Sequence, residues 1–130
     1  MKILLDTCCI IWAVSNPENL SKKATLLLQD EDSEIFISPI SAAEIACAAE
    51  RGRISLERHW KKWFRYYLDL NGWQIENIDL GIIEEAYSLP ENFHPDPADR
   101  IITATARVRN FSVLTADRKI LDYPHVESIW

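Results

Sequence analysis

Short apolar runs of strand length alternate with longer stretches of helical spacing along most of this 130-residue chain. Strands are predicted at Lys2 to Leu5, Ile35 to Ser38, Gln74 to Ile78, Ser112 to Thr115 and His125 to Ile129. Helices are predicted at Cys9 to Val14, Ser21 to Gln29, Ala42 to Arg51, Leu56 to Leu70, Leu80 to Ser88 and Ala98 to Arg109, with a short one after Asp117. Because strand–helix–strand crossovers join parallel strands, this order predicts an α/β fold: a doubly wound, mostly parallel sheet with helices on both faces.

Length and composition limit the chain to one core. With 48% hydrophobic residues, three scattered glycines and six prolines, the chain shows no linker, and we expect a single domain over residues 1–130. No apolar stretch approaches the roughly 20 residues that cross a bilayer. Asp6 interrupts the first apolar run too early for a secretory signal. We therefore expect a cytoplasmic protein without membrane association.

Charge and cysteine content exclude other classes of protein. The net charge of −6 argues against a generally basic surface that holds nucleic acid. One segment, Arg51 to Arg65, nevertheless carries six basic residues against the single acid Glu57, and these face either phosphates or solvent. The three cysteines lack the spacing of a disulfide framework or a zinc site, which predicts buried, reduced thiols at Cys8, Cys9 and Cys47.

Four acidic residues each follow a predicted strand or open the helix after it. They are Asp6, Glu44, Asp99 and Asp117. Any one of them alone fits helix capping, since Ser41 and Glu44 have the spacing of a capping box and Asp96 before Pro97 starts a helix equally well. Taken together they predict more, because the carboxyl ends of parallel strands share one edge of the sheet and bring all four acids to it.

Converging carboxylates predict a metal site. They repel one another, and burial raises their pKa values unless a cation lies among them. Oxygen ligands without a partnering histidine or cysteine favour Mg²⁺ or Mn²⁺, and such a site suits phosphodiester hydrolysis. Neighbouring hydroxyls are expected either to support this site or to act as local caps: Thr7, Ser41, Thr103 and Thr115. Arg100 is expected to form an ion pair with the acids or to contact the phosphate that is cleaved.

The motifs that carry these acids resemble those of PIN-domain nucleases, and most closely the VapC-type toxins of toxin–antitoxin pairs. The matching segments are Leu4-Leu5-Asp6-Thr7, Ile10-Ile11-Trp12, Ser38-Pro39-Ile40-Ser41-Ala42-Ala43-Glu44-Ile45-Ala46, Asp96-Pro97-Ala98-Asp99-Arg100-Ile101-Ile102 and Leu114-Thr115-Ala116-Asp117. The resemblance implies a magnesium-dependent endoribonuclease with Asp6, Glu44, Asp99 and Asp117 as metal ligands and Thr7 and Thr115 as supporting hydroxyls. Cys8 and Ala43 depart from the common pattern without removing a ligand.

Three alternatives stay open on the sequence alone. A receiver-type signalling domain is also a small α/β protein with a magnesium-binding acid cluster, but it places two acids together after the first strand, where this chain has Asp6-Thr7. An inactive RNA-binding module of PIN fold would be expected to have lost at least one of the acids. A nuclease of the same fold that cuts DNA is the third alternative.

The expected partners are an RNA substrate, a second copy of the chain and an antitoxin. The resemblance to VapC-type toxins implies both the homodimer and a small antitoxin that blocks the acid edge. The sequence adds that five tryptophans are more aromatic surface than one small core readily absorbs. Some of Trp12, Trp60 and Trp63 are therefore expected at an interface.

Overall fold

The structure, a computed structural model, describes all residues from 1 to 130 and contains one five-stranded sheet. The strands are β1 (Lys2–Leu5), β2 (Glu34–Ile37), β3 (Gln74–Ile75), β4 (Ser112–Leu114) and β5 (Ser128–Ile129). Their order is β3-β2-β1-β4-β5, and every neighbouring pair is parallel. This confirms the predicted parallel α/β sheet, and it differs from the 2-1-3-4-5 order of receiver domains.

Seven α-helices and one 3₁₀ turn connect the strands. The helices are α1 (Thr7–Ser15), α2 (Lys22–Gln29), α3 (Pro39–Glu50), α4 (Trp60–Asn71), α5 (Leu80–Ala86), α6 (Pro97–Arg109) and α7 (Arg118–Leu121), with the 3₁₀ turn at Pro17–Asn19. None of these helices combines the length and the apolar character that a membrane span requires.

Side chains of the central strands alternate between two cores because successive strand residues point to opposite faces. Ile3 and Leu5 of β1 join a core that includes Ile10 of α1, Ile45 of α3 and Trp63 of α4. Leu4 joins the other, with Phe36, Val113 and residues of α6 and α7. Both faces of the sheet are therefore covered, and each fully buried Leu or Ile stabilises the fold by about 1.5–3 kcal/mol.

Two helices begin three or more residues away from their predicted starts, because local hydrogen bonds determine their N-caps. Ser38 caps α3 by accepting the Ile40 N–H at 3.2 Å, with Pro39 in the first turn, so the predicted capping box at Ser41 and Glu44 is wrong. His59 caps α4 by accepting the Lys61 N–H at 3.3 Å, so this helix begins four residues after the predicted start. Ser41 and Glu44 consequently lie inside α3, where their side chains are available for other contacts.

The tryptophans lie in or against the core. Trp63 is fully buried, and Trp60 is half-buried against the same core. Trp12 is also half-buried, and its ring packs against that of Trp130. Burial of Trp63 removes it from the tryptophans expected at an interface, while for the half-buried Trp12 and Trp60 that expectation stays a prediction. The most exposed large apolar side chains include Leu80, which is 73% exposed, and Tyr87.

The prediction that all three cysteines are buried is wrong for two of them. Cys9 is buried, whereas Cys8 on α1 and Cys47 on α3 are exposed, because each lies on a face of its helix that is turned away from the core.

Candidate active site

A cavity of about 590 Å³ opens where β1 and β4 end. Five carboxylates line it, those of Asp6, Glu44, Asp96, Asp99 and Asp117. The structure thus brings the four acids predicted from the sequence to one place, together with Asp96. Each is held by the first residues of a helix or by the residue before it, except Glu44, which lies in the second turn of α3.

Asp6 lies at the bottom of the cavity, with only 7% of its surface exposed. It caps α1 by accepting the Thr7 N–H at 2.7 Å through Oδ1, while Oδ2 accepts the Thr115 hydroxyl at 2.7 Å. Burial raises the pKa of Asp6, and the hydrogen bonds from Thr115 and Thr7 oppose that rise. One oxygen of Asp6 is thus held by the first backbone N–H of α1, and the other is held by the threonine hydroxyl that follows β4.

Glu44 of α3 is joined to α1 by the hydroxyl of Thr7, which also contacts the hydroxyl of Ser41 on α3. The Thr7 hydroxyl donates to Oε1 of Glu44, and Thr7 Oγ1 lies 2.9 Å from the hydroxyl oxygen of the buried Ser41. Since the Thr7 hydroxyl has one proton, Ser41 donates to Thr7 when Thr7 donates to Glu44. Burial raises the pKa of Glu44, and the Thr7 hydrogen bond opposes the rise. Thr7 and Ser41 therefore position this carboxylate.

Asp99 is the most perturbed acid of the group. Burial, and then the negative charges of Asp6, Asp96, Asp117 and Glu44, raise its pKa to about 7. Nε2 of His94 lies 3.1 Å from Oδ2 of Asp99. That nitrogen is buried and lacks a well-aligned hydrogen bond.

His94 is a site residue that the sequence reasoning missed. It precedes α6 and is five residues from Asp99 in the chain, so helical spacing does not connect the two. Only the run His94-Pro95-Asp96-Pro97 offered a signal, because its prolines force a turn that folds back against the start of the helix.

Asp117 and Asp96 combine a place in the cavity with helix capping. Oδ1 of Asp117 accepts the Lys119 N–H at 2.9 Å, and Oδ1 of Asp96 accepts the Ala98 N–H at 3.1 Å. The Asp117 N–H donates to Oγ1 of Thr115 at 3.0 Å, so the Thr115 hydroxyl links Asp117 to Asp6. The capping interpretation and the cavity interpretation of these acids therefore hold at the same time.

The protein family that this chain matches agrees with the carboxylates found at this edge of the sheet. The family model for the PIN domain matches residues 3–126, a span that contains all five acids. The chain is a PIN-domain protein of the VapC type. It is 31% identical to Ribonuclease VapC22 of Mycobacterium tuberculosis over 125 residues, which are 95% of this chain and 92% of that relative.

Solved structures share the PIN fold over almost their whole length. VapBC2 from Rickettsia felis, bound to a DNA fragment from its promoter, superposes with a TM-score of 0.72 at 17% identity over 99% of this chain and 98% of that one. A toxin–antitoxin complex from Klebsiella pneumoniae gives a TM-score of 0.69 at 22% identity over 98% and 96%. At these identities the likeness establishes the fold.

Arg100 and Thr103 of this PIN domain are not where the sequence predicted. Arg100 donates to the backbone carbonyls of Ala86 at 3.0 Å and Phe93 at 2.7 Å, and it forms no ion pair with the acids. Since each helical residue is rotated by about 100° from the last, Arg100 leaves the cavity that Asp99 enters. The hydroxyl of Thr103 is fully buried without a hydrogen bond and does not line the cavity.

The donor set fits a hard divalent cation, although the side chains are not arranged around one. As they stand, no three acidic, histidine or cysteine side chains of the chain are placed to hold a metal ion together. Asp6 and Glu44 use oxygens in the hydrogen bonds to Thr7 and Thr115. Carboxylate and hydroxyl oxygens are nevertheless the ligands that Mg²⁺ and Mn²⁺ prefer, and burial and mutual repulsion raise the pKa values of Asp6, Glu44 and Asp99 in the way that a bound cation would oppose.

Proposed function

We propose that this PIN-domain protein is a metal-dependent endoribonuclease that hydrolyses RNA phosphodiester bonds with Mg²⁺ or Mn²⁺ held by Asp6, Glu44, Asp99 and Asp117. The observation that carries the proposal is the convergence of these four carboxylates, three of them with raised pKa values, in one open cavity. The similarity to a protein named as a ribonuclease supports RNA as the substrate.

The chain's own residues orient this site. Thr115 holds Asp6, while Thr7 and Ser41 hold Glu44, so each of these two acids is fixed before substrate arrives. A divalent cation held by these acids would lower the pKa of the attacking water and would neutralise charge on the phosphate. These hydrogen bonds fix the orientation of both carboxylates, and hydroxyl groups in this position around ligands help to set the geometry of a metal site.

We also propose that the protein is the toxin of a toxin–antitoxin pair and that it forms a homodimer. The neighbouring solved structures are described as complexes of toxin with antitoxin, which supports an antitoxin partner. An inhibitory arginine is the side chain that best suits an uncompensated acid cluster. Support for a dimer comes from exposed apolar side chains of α5 and its ends, Leu80, Ile83 and Tyr87, rather than from the tryptophans.

The test is incubation of the purified chain with total RNA in Mg²⁺, in Mn²⁺ or in EDTA, followed by mapping of the cut ends. We expect discrete cuts with metal and none with EDTA. Asp99→Asn should be inactive, while Asp69→Asn, an exposed aspartate on α4, is the matched control and should cut like the wild type. Cleavage of single-stranded DNA but not RNA would favour the DNA nuclease, and RNA binding without any cleavage would favour the binding module.

Size-exclusion chromatography with light scattering tests the dimer, and co-purification with the neighbouring gene product tests the antitoxin. A 15.0 kDa particle at all concentrations would rule out the homodimer. Recovery of the chain alone, fully active and harmless to its host, would rule out the toxin proposal.

A further inference from the structure

One part of the wall of the acid cavity carries no carboxylate and takes no part in the proposed metal chemistry. Ile11 and Trp12 of α1, Ala48 of α3 and Arg53 beyond the end of α3 line it. Arg53 is the only lysine or arginine among the lining residues, and it forms no ion pair anywhere in the structure. The cavity therefore joins a group of carboxylates to a wall with one aromatic ring and one unpaired cation.

A specific turn brings Arg53 to this cavity. The Gly52 N–H donates to the Ala49 carbonyl at 3.1 Å and the Arg53 N–H to the Ala48 carbonyl at 2.8 Å, which are the two hydrogen bonds of a Schellman motif. Gly52 has a φ of +71°, a conformation that a side chain would strain. The chain thus folds back over the end of α3 and places Arg53 beside Ala48.

The ring of Trp12 is held in place from one side. It packs against Trp130 with ring centroids 5.8 Å apart at an angle of 54°, and it is half-buried while lining the cavity. The rest of the basic segment is placed differently. Arg58 lies over the ring of Tyr66 and Lys61 over that of Trp60, and neither residue lines the acid cavity.

We propose that Trp12 and Arg53 form a nucleotide subsite for single-stranded RNA next to the carboxylates. The indole contacts the base of a nucleotide beside the cleaved bond, and the Arg53 guanidinium binds that nucleotide's phosphate. Every base has a face that can stack on an aromatic ring, so this subsite adds affinity with little base preference. A chain of net charge −6 needs a local cation to hold a polyanion beside its acids, and Arg53 is the cation in that position.

This proposal rests on the proposed ribonuclease function. A measurement of RNA binding tests the subsite separately from the cleavage activity. The probe is a fluorescein-labelled single-stranded RNA of about ten nucleotides, a length on the scale of known single-strand sites. Its affinity is measured by fluorescence anisotropy at several salt concentrations on the Asp99→Asn background, which keeps the RNA intact. Arg53→Ala should weaken binding about fivefold to tenfold and lower the salt slope by about one. Arg51→Ala, an exposed neighbour that does not line the cavity, is the control and should change neither as much.

Kinetics on the otherwise wild-type chain give a second measurement. Arg53→Ala and Trp12→Leu should raise KM with little change in kcat, Trp12→Phe should restore much of the affinity, and the Mg²⁺ affinity measured by calorimetry should stay the same. If Trp12→Leu does not fold, Arg53→Ala and Trp12→Phe still decide. Binding by Arg53→Ala as tight as by Arg51→Ala, with the same salt slope, overturns the subsite while leaving the ribonuclease intact. A wild-type chain that cuts no RNA contradicts the proposed function instead.

Discussion

The two ends of α6 differ in whether their acidic side chains form ion pairs with arginine. At its start, Asp99 lies in a cavity with four other acids and forms no ion pair with a lysine or arginine, and its pKa is raised to about 7. At its end, Arg109 lies 2.9 Å from Glu76 and 2.6 Å from Asp79, and Arg107 lies 3.1 Å from Glu85. There the hydrogen bonds from the Ile82 N–H and Arg109 lower the pKa of Asp79.

The helix dipole favours both arrangements, acids at the first turn and bases at the last. The dipole does not explain why Asp99 in the first turn has no lysine or arginine partner. Burial and repulsion by the other acids raise the pKa of Asp99 by more than the dipole lowers it. Exposed ion pairs such as those at the other end contribute roughly 0–1 kcal/mol each and serve the fold. An acid cluster that costs stability and persists is the arrangement expected of a site kept for binding.

The largest expected effect separates the two ends by activity. Asp6→Asn or Asp99→Asn should lower kcat by about a thousandfold or more, because each removes a ligand from the proposed metal site. Asp79→Asn, at the paired end, is the matched control and should leave kcat nearly unchanged. Rates of cleavage of a fluorescent RNA at saturating Mg²⁺ measure both, and wild-type rates for Asp99→Asn would refute the assignment.

Asp117→Asn sharpens the ranking within the cluster. Asp117 lies between β4 and α7 and is less enclosed than Asp6, so a water can replace its ligand oxygen. We expect cleavage to fall by less than in Asp99→Asn under the same assay. A complete loss equal to that of Asp99→Asn would show that all four acids bind the metal with similar importance.

His94 provides the next largest effect on activity. Removing the imidazole beside Asp99 should lower cleavage about 10–100-fold, as expected when a ligand loses the group that orients it. His125→Ala is the control, since that histidine lies 3.3 Å from Glu91, outside the acid cavity. Calorimetric Mg²⁺ affinity should fall in His94→Ala and not in His125→Ala, and an unchanged affinity would remove His94 from the site.

Stability against pH should change in opposite directions at the two ends. In metal-free protein the folded-state pKa of Asp99 lies near 7, above its ordinary value of 3.8, so the protonated form favours folding. That advantage is full below about pH 4 and is lost as the pH rises through about 7. Asp99→Asn escapes this loss, and its Tm should exceed that of the wild type by several degrees, roughly 3–6 °C, at pH 8 in EDTA.

The same melts test the paired end. Because the pKa of Asp79 is lowered, its stabilising contribution is present above its ordinary value of 3.8 and is lost as the pH falls through the folded value. Asp79→Asn should therefore lower the Tm at pH 8, and Mg²⁺ should raise the Tm of the wild type but not of Asp99→Asn. A wild type as stable as Asp99→Asn across this pH range would contradict the unpaired charge at the start of α6.

The smallest effect on activity is expected at Arg100, which ties the loop before α6 to α5. Arg100→Ala leaves two buried carbonyls without their donor and should destabilise the protein by about 1–3 kcal/mol. We expect Mg²⁺ affinity to change little, because the guanidinium does not contact the acids. Chemical denaturation measures the loss of stability, and calorimetry measures the Mg²⁺ affinity. A large loss of metal binding in a folded Arg100→Ala protein would instead support the predicted ion pair between Arg100 and the acids.

By itself the sequence determined the parallel α/β sheet and the edge at which Asp6, Glu44, Asp99 and Asp117 meet, because strand periodicity is local and the topology of parallel strands leaves one carboxyl edge. Only the tertiary structure decided which groups face that edge. Arg100 follows Asp99 in the chain yet turns away to two carbonyls. His94, without helical spacing to any acid, contacts Asp99, and Arg53 reaches the cavity through a turn. Such contacts depend on how loops fold onto helices, where hydrogen bonds compete over several residues, and no periodic pattern in the sequence records the outcome.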